Sequence, residues 1–181
     1  LVGPGEYEEN VTFTAGDRTL RSSDPDQRAT IVGQVSIPVE APRTTLTALT
    51  IDGRSLGGTQ IVPVRGASAH IVGNEIRSDG QLVCVYAPAA TATGLVVEGN
   101  RIHHCESAVS LQQTRGARVV DNTIFKHQMP DTPAIVMYPD ADSSLIEHNT
   151  IAFNTHGVRF AGSAGTSSDN NRVERNVITD S

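Results

Sequence analysis

The chain has no tryptophan, and aromatic residues make up only 4% of its 181 positions. That excludes a wide core filled by large rings and leaves a thin interior stacked with Val, Ile and Leu. Basic residues are outnumbered, 14 Lys and Arg against 20 Asp and Glu, for a formal charge of −6. Non-specific nucleic-acid binding needs clustered Lys and Arg, so nucleic acid is not an expected partner. A polyanionic glycan would need a local basic strip working against the overall field. No apolar run reaches the roughly 18 residues of a membrane span. No window keeps apolar residues at i, i+3, i+4 and i+7 for the turns a helix needs. Cysteine is scarce too, with only Cys84 and Cys105. Cys84 follows Asn74 by 10 residues and Cys105 follows Asn100 by 5, different points of the sequence pattern, so two unpaired residues are the expectation and a disulfide the alternative.

What the chain does have is a phrase that returns. Val97-Glu98-Gly99-Asn100-Arg101-Ile102 reads apolar-x-x-Asn-x-Ile, and the same pattern spans Ile71 to Ile76, Val119 to Ile124, Ile146 to Ile151 and Val173 to Ile178. The asparagines Asn74, Asn100, Asn122, Asn149 and Asn176 are separated by 26, 22, 27 and 27 residues. A weaker copy, Leu46 to Ile51, carries Leu49 in the Asn place. After each phrase comes a turn and then an alternating apolar segment, as in Leu82-Val83-Cys84-Val85 or Gly157-Val158-Arg159-Phe160. A period of two with β-branched residues means strand, and self-similarity at this spacing means a solenoid whose units bury their apolar faces on one another. The expected fold is all-β: a single-stranded parallel β-helix of about 6–7 coils of 22–27 residues. One domain is expected over 1–181, with irregular coils over 1–66, where Pro38, Pro42 and Pro63 mark corners, and regular repeats over 67–181. The Asn column is expected to bond to the backbone and to itself. The chain opens at Leu1 without Met and closes partway through a repeat, as a processed chain or a piece of a longer one would. End-to-end or multidomain association is therefore expected through uncapped strand edges.

The phrase Val-x-x-Asn-x-Ile followed by Gly-Val-x-Phe resembles the repeat of the right-handed parallel β-helix superfamily. That superfamily has a pectate-lyase-like fold and includes pectate lyases, polysaccharide epimerases and carbohydrate-binding proteins. Pro4-Gly5-Glu6-Tyr7-Glu8-Glu9-Asn10-Val11 is similar to the first coils of secreted members. The resemblance implies a right-handed helix, engagement of an acidic glycan, lyase or C5-epimerase chemistry if the chain is catalytic, and an extracellular, cell-surface or periplasmic location. A non-catalytic binding module or a structural solenoid segment is the alternative. The chain lacks the dense Asp cluster with Arg of calcium-dependent pectate lyases and the Asp-Pro-His-Asp string of one epimerase family.

Register turns the pattern into surfaces. If the apolar pair of each later strand points inward, one outward stripe is Cys84, Ser110, Val136 and Arg159, and the next is Tyr86, Gln112, Tyr138 and Ala161. Tyr rings and Gln amides suit sugar faces and hydroxyls, which makes Tyr86, Gln112 and Arg159 candidate substrate-binding residues and Tyr138 a candidate acid or base. The turn after the Asn phrase gathers His103, His104 and Glu106, then Lys126, His127 and Asp131, then Asn154 and His156. Uronate chemistry needs a base for the C5 proton, an acid for the leaving oxygen and a cation for the carboxylate. His103, His104, Lys126, His127 and His156 are the candidate catalytic residues, and Asn154 is a candidate substrate ligand. The four histidines also suit zinc or copper, although His103 and His104 would point apart on a strand. The acidic knot Glu6, Glu8 and Glu9 could take calcium.

Overall fold

The computed structural model describes residues 1–54, 57–127, 129–162 and 166–180. Among these residues there is no helix, and the strands pair only in parallel. Each regular coil contributes three short strands, for example Val96–Glu98, Arg101–His103 and Val109–Leu111. Stacking about seven coils gives three walls. Sheet A has eight strands from Gly5–Tyr7 to Val177–Thr179, and sheet B has seven from Thr19–Arg21 to Arg172–Glu174. Sheet C has five strands from Gln60–Pro63 to His156–Phe160, and a two-stranded pair, Val11–Thr12 with Val35–Ser36, lies in the first coils.

The core follows from the repeat. Leu46, Ile71, Val97, Val119, Ile146 and Val173 share one register column in sheet B. Ile51, Ile76, Ile102, Ile124, Ile151 and Ile178 share another in sheet A. All are fully buried except in the last coil, where Val173 and Ile178 are exposed. Each buried aliphatic contributes roughly 1.5–3 kcal/mol.

Sheets B and A meet at a one-residue bend. The residue before each ladder Asn is left-handed, with φ of 65° at Gly73 and 61° at Gly99, and Asp121, His148 and Arg175 adopt the same conformation. The next residue then turns inward. Asn100 Oδ1 accepts the Asn74 backbone N–H at 2.9 Å, and Asn100 Nδ2 donates to Ile71 O at 2.7 Å. The same bonds link Asn122, Asn149 and Asn176. The ladder starts where the Leu49 N–H donates to Asn74 Oδ1. In the coil before, the residue opposite Leu49 is Ala29, whose N–H donates to Ser22 Oγ at 3.1 Å, so no carboxamide is needed there.

Three expectations from the sequence change here. Cys84 and Cys105 form a disulfide, with Cα atoms 5.8 Å apart. The turn after His103 is two residues shorter than the one after Arg77, so Val109 lies opposite Val85 rather than Val83. The same difference brings Cys105 beside Cys84, whose N–H bonds to Ser107 O. The stripes change with it: Tyr86 stacks with Ser110, Val136 and Arg159 instead of with Gln112 and Tyr138. Cys84, Ser110 and Val136 are buried rather than outward-exposed, the latter two lying between the larger Tyr86 and Arg159. Finally, Pro63 ends a strand rather than a corner. That strand is the edge of sheet C, where a missing N–H costs little. Part of the expected outward loop over 162–171 lies outside the described residues.

Candidate functional site

The chemistry-bearing groups gather on the outer face of sheet A and the turn that follows it. In each coil the residue before the inward Ile and the residue after it face outward, which gives Glu75 and Arg77, then Arg101 and His103, then Thr123 and Phe125. The strand stops one residue later, because His104, Lys126 and Phe153 are left-handed, with φ of 56°, 60° and 56°. Continuing the register puts Ser78, His104, Lys126, Phe153 and Asp180 in one outward column along the helix axis.

That bend brings His103 and His104 together instead of pointing them apart. Their Nδ1 atoms are 2.7 Å apart, and His103 Nε2 lies 2.9 Å from Glu75 Oε1. The Phe125 ring stacks on His103 at a centroid distance of 4.8 Å and leaves that histidine buried. The partners fix the tautomers. A carboxylate only accepts, so His103 Nε2 carries its proton. In its neutral form His103 must then accept at Nδ1, so His104 Nδ1 carries the next proton. The remaining nitrogen, His104 Nε2, is left with a lone pair and no partner among the described residues. The His104 ring lines an open pocket of about 320 Å³ with Asp79, Gly80, Gln81, Lys126 and Met129.

Electrostatics reinforce the arrangement. Partial burial pushes His104 below its ordinary value, and the charges of His103, Lys126, Arg101 and Arg77 add to the shift, so the ring is neutral at neutral pH. Burial works to raise the Glu75 carboxyl, but the His103 hydrogen bond and the charges of His103, Arg77 and Arg101 outweigh it and hold it below its usual value. The chain is therefore carboxylate, imidazole, imidazole, lone pair, with the Lys126 ammonium beside the open end.

Of the candidate residues, His103, His104 and Lys126 come together here; the others do not. His127 is fully buried, with Nδ1 2.9 Å from Cys105 O and Nε2 3.3 Å from Ile102 O. Burial lowers it to about 4 against the opposing pull of those carbonyls. Asn154 is buried as well, and its Oδ1 accepts the His127 N–H at 3.0 Å. With Cys105 they form an inner column five residues after the ladder asparagines, so neither is an exposed base or a substrate ligand. His156 pairs with Pro133 at the start of the last sheet C strand, out of register with His104. Tyr138 follows the far end of Pro133–Met137, roughly 16 Å of strand away. It shares a pocket of about 390 Å³ with Gln112, Gln113, Pro139, Asp140 and Thr166. Tyr86 reaches that edge by donating its hydroxyl to Gln112 Oε1 at 3.2 Å, and Arg159 instead donates to Asp131 O. Periodicity does not single out Glu75, Arg101 or Phe125, although their places beside Ile76, Ile102 and Ile124 mark them as outward.

No group of three or more His, Cys, Asp or Glu among the described residues is placed to hold a metal ion, and Glu6 of the acidic knot pairs with Arg54 at 2.6 Å. Neither the zinc or copper reading nor the calcium reading finds a ligand set there.

The family model for the right-handed β-helix region matches residues 39–180. The chain belongs to the right-handed β-helix family. The match begins before the first ladder contact at Leu49 and takes in every residue of the Glu75–His103–His104 chain. Neither a comparison with curated proteins nor one with solved structures gave a match. No helix among the described residues is long and apolar enough to cross a membrane.

Proposed function

We propose that this β-helix protein abstracts the proton α to the carboxylate of a uronate residue in an acidic polysaccharide, the step shared by lyases and C5-epimerases. The observation that carries this reading is the Glu75–His103–His104 chain, which ends on a lone pair beside Lys126. Lys126 pairs with the sugar carboxylate and stabilises the negative charge that builds on it as C5 loses its proton. His104 Nε2 takes that proton. His104 Nδ1 can then pass its own proton to His103 Nδ1, so the positive charge comes to rest between the Glu75 carboxylate and the Phe125 ring face. In a lyase reaction the proton held by the His103–His104 pair leaves through His104 Nε2 to the C4 oxygen as its bond to C4 breaks, and in an epimerase reaction a water proton adds to the other face of C5 while the held proton returns to solvent. The disulfide supports an extracellular, cell-surface or periplasmic setting, because such bonds persist in oxidising compartments.

The test is a panel of polyuronates, read by absorbance of unsaturated product and by solvent deuterium entering C5. One substrate is expected to turn over, and His104→Ala to slow it by roughly 10²–10⁴-fold. Silence across the panel, or a fully active His104→Ala protein, overturns the reading. A second reading, glycan binding without turnover, is favoured by the pocket of Gln112 and Tyr138 at the far edge of sheet C. It expects Tyr86→Ala with Tyr138→Ala to abolish binding while His104→Ala leaves it intact.

A further inference from the structure

The column that contains His104 and Lys126 continues to Phe153, which is 57% exposed. An exposed phenylalanine with left-handed backbone has no packing reason to be there, and it does not stand alone. Together with Arg101, Phe125, Lys126, Thr150 and Ala152 it lines a second pocket, of about 420 Å³, on the outer face of sheet A. The walls are aromatic and the rim is cationic. The Arg101 guanidinium lies 4.5 Å from the Phe125 centroid with its side chain well exposed, and Lys126 belongs to both this pocket and the His104 pocket. The two pockets are thus neighbours that share the Lys126 side chain, on a protein whose formal charge is −6.

Resting on the proposed uronate chemistry, we infer that Phe153, Phe125 and Arg101 form a second sugar subsite, which binds a further uronate residue of the same polysaccharide chain. Phe153 lies two coil steps, roughly 10 Å, from His104 along the helix axis, within the span of a few sugar units in an extended glycan. The apolar face of a pyranose ring packs on the exposed Phe153 ring, while its carboxylate meets Arg101, whose guanidinium lies over Phe125. The glycan therefore runs parallel to the helix axis, along the outward column, with the reacting residue at His104. Neutral glycans satisfy the aromatic wall but bring no carboxylate to Lys126 or to Arg101, whose Nε lies 3.6 Å from Glu75 Oε1. Short acidic fragments reach Lys126 but not Phe153.

The experiment measures binding rather than turnover, in a His104→Ala background so that substrate survives. Oligouronates of two and of six residues, and a neutral hexasaccharide, are titrated by ligand-observed NMR. Phe153→Ala is expected to weaken the hexauronate about tenfold and to leave the diuronate unchanged. Arg101→Gln is expected to erase most of the preference for the hexauronate over the neutral hexamer. Equal effects of Phe153→Ala on both lengths, or none on either, overturn the subsite. The outcome is separable from the catalytic reading. Length-dependent binding without turnover in the wild type sinks the chemistry and keeps the subsite, and turnover that ignores Phe153 does the reverse.

Discussion

Two columns run through the last five coils of this β-helix only four residues apart in each coil, and they follow opposite rules. The first is Asn74, Asn100, Asn122, Asn149 and Asn176, one residue type throughout, bonded coil to coil and closed to solvent except at the last coil. The second is Ser78, His104, Lys126, Phe153 and Asp180, five residue types in five coils, facing outward. The first follows a left-handed residue in every coil, and the second is itself left-handed from His104 to Asp180. The first bend aims a carboxamide at the buried N–H of the preceding ladder Asn, which has no other partner among the described residues, so every coil needs the same side chain. The second aims side chains at water, so each coil is free to carry a different one. Uniformity marks the column that holds the fold, and variety marks the column where chemistry can be placed.

The largest expected effect breaks the first column. Asn100→Leu leaves the buried Asn74 N–H without its partner, at about 1–3 kcal/mol, and removes the Asn100 amide bond to Ile71 O, at about 1 kcal/mol, so the variant should lose roughly 3 kcal/mol. Phe153→Ala in the second column should change stability by less than about 0.5 kcal/mol. Urea unfolding of both variants checks the contrast, and similar losses would erase the distinction between the columns. Leu49 shows that leucine fits the place when the upstream N–H, that of Ala29, already donates to Ser22 Oγ.

The strict phrase made the fold legible. Asn-x-Ile fixes the bend, the inward Ile and the register of sheets A and B, whatever the length of the turns elsewhere. His104 and Lys126 were legible for the same reason, because they follow the phrase at a constant distance. Beyond them the reading fails for two physical reasons. A left-handed residue interrupts strand alternation, so the next residue swings inward: His127 and Asn154 become core groups although their neighbours are exposed. Turn lengths then differ between coils, so Tyr86 and Arg159 cannot be placed by counting from the phrase, and the approach of Cys105 to Cys84 is hidden in the same way. Glu75 is hidden differently. Its role depends on His103, 28 residues away in the next coil.

His127 sharpens the comparison from the inside, as a titratable group that has been put on the wrong side of the wall for chemistry. Its folded value, about 4, lies below the ordinary 6.5. As pH falls the unfolded chain therefore takes up the proton first. The stability linked to His127 is complete above about pH 6.5 and is lost as pH falls through 4, about 3 kcal/mol in all. His104 contributes in the same direction. His127→Gln, whose amide can still donate to Cys105 O, should flatten most of the stability loss between pH 7 and 5. An unaltered slope would mean that the imidazole is not held neutral in the core.

The smallest expected effect concerns how far the outer column depends on the residues behind it. Glu75→Gln keeps an oxygen that can accept from His103 Nε2 but removes the charge that favours a proton on the His103–His104 pair. A general base works above its own pKa, so kcat/KM of the wild type should fall on the acid side with a midpoint below 6.5, the ordinary histidine value, because His104 is lowered. Without the Glu75 charge that midpoint should move further down. The weaker base should also reduce the plateau rate by roughly tenfold. If Glu75 only positions His103, the plateau drops while the midpoint stays fixed, and the relay is then a scaffold for His104 rather than a path for its proton.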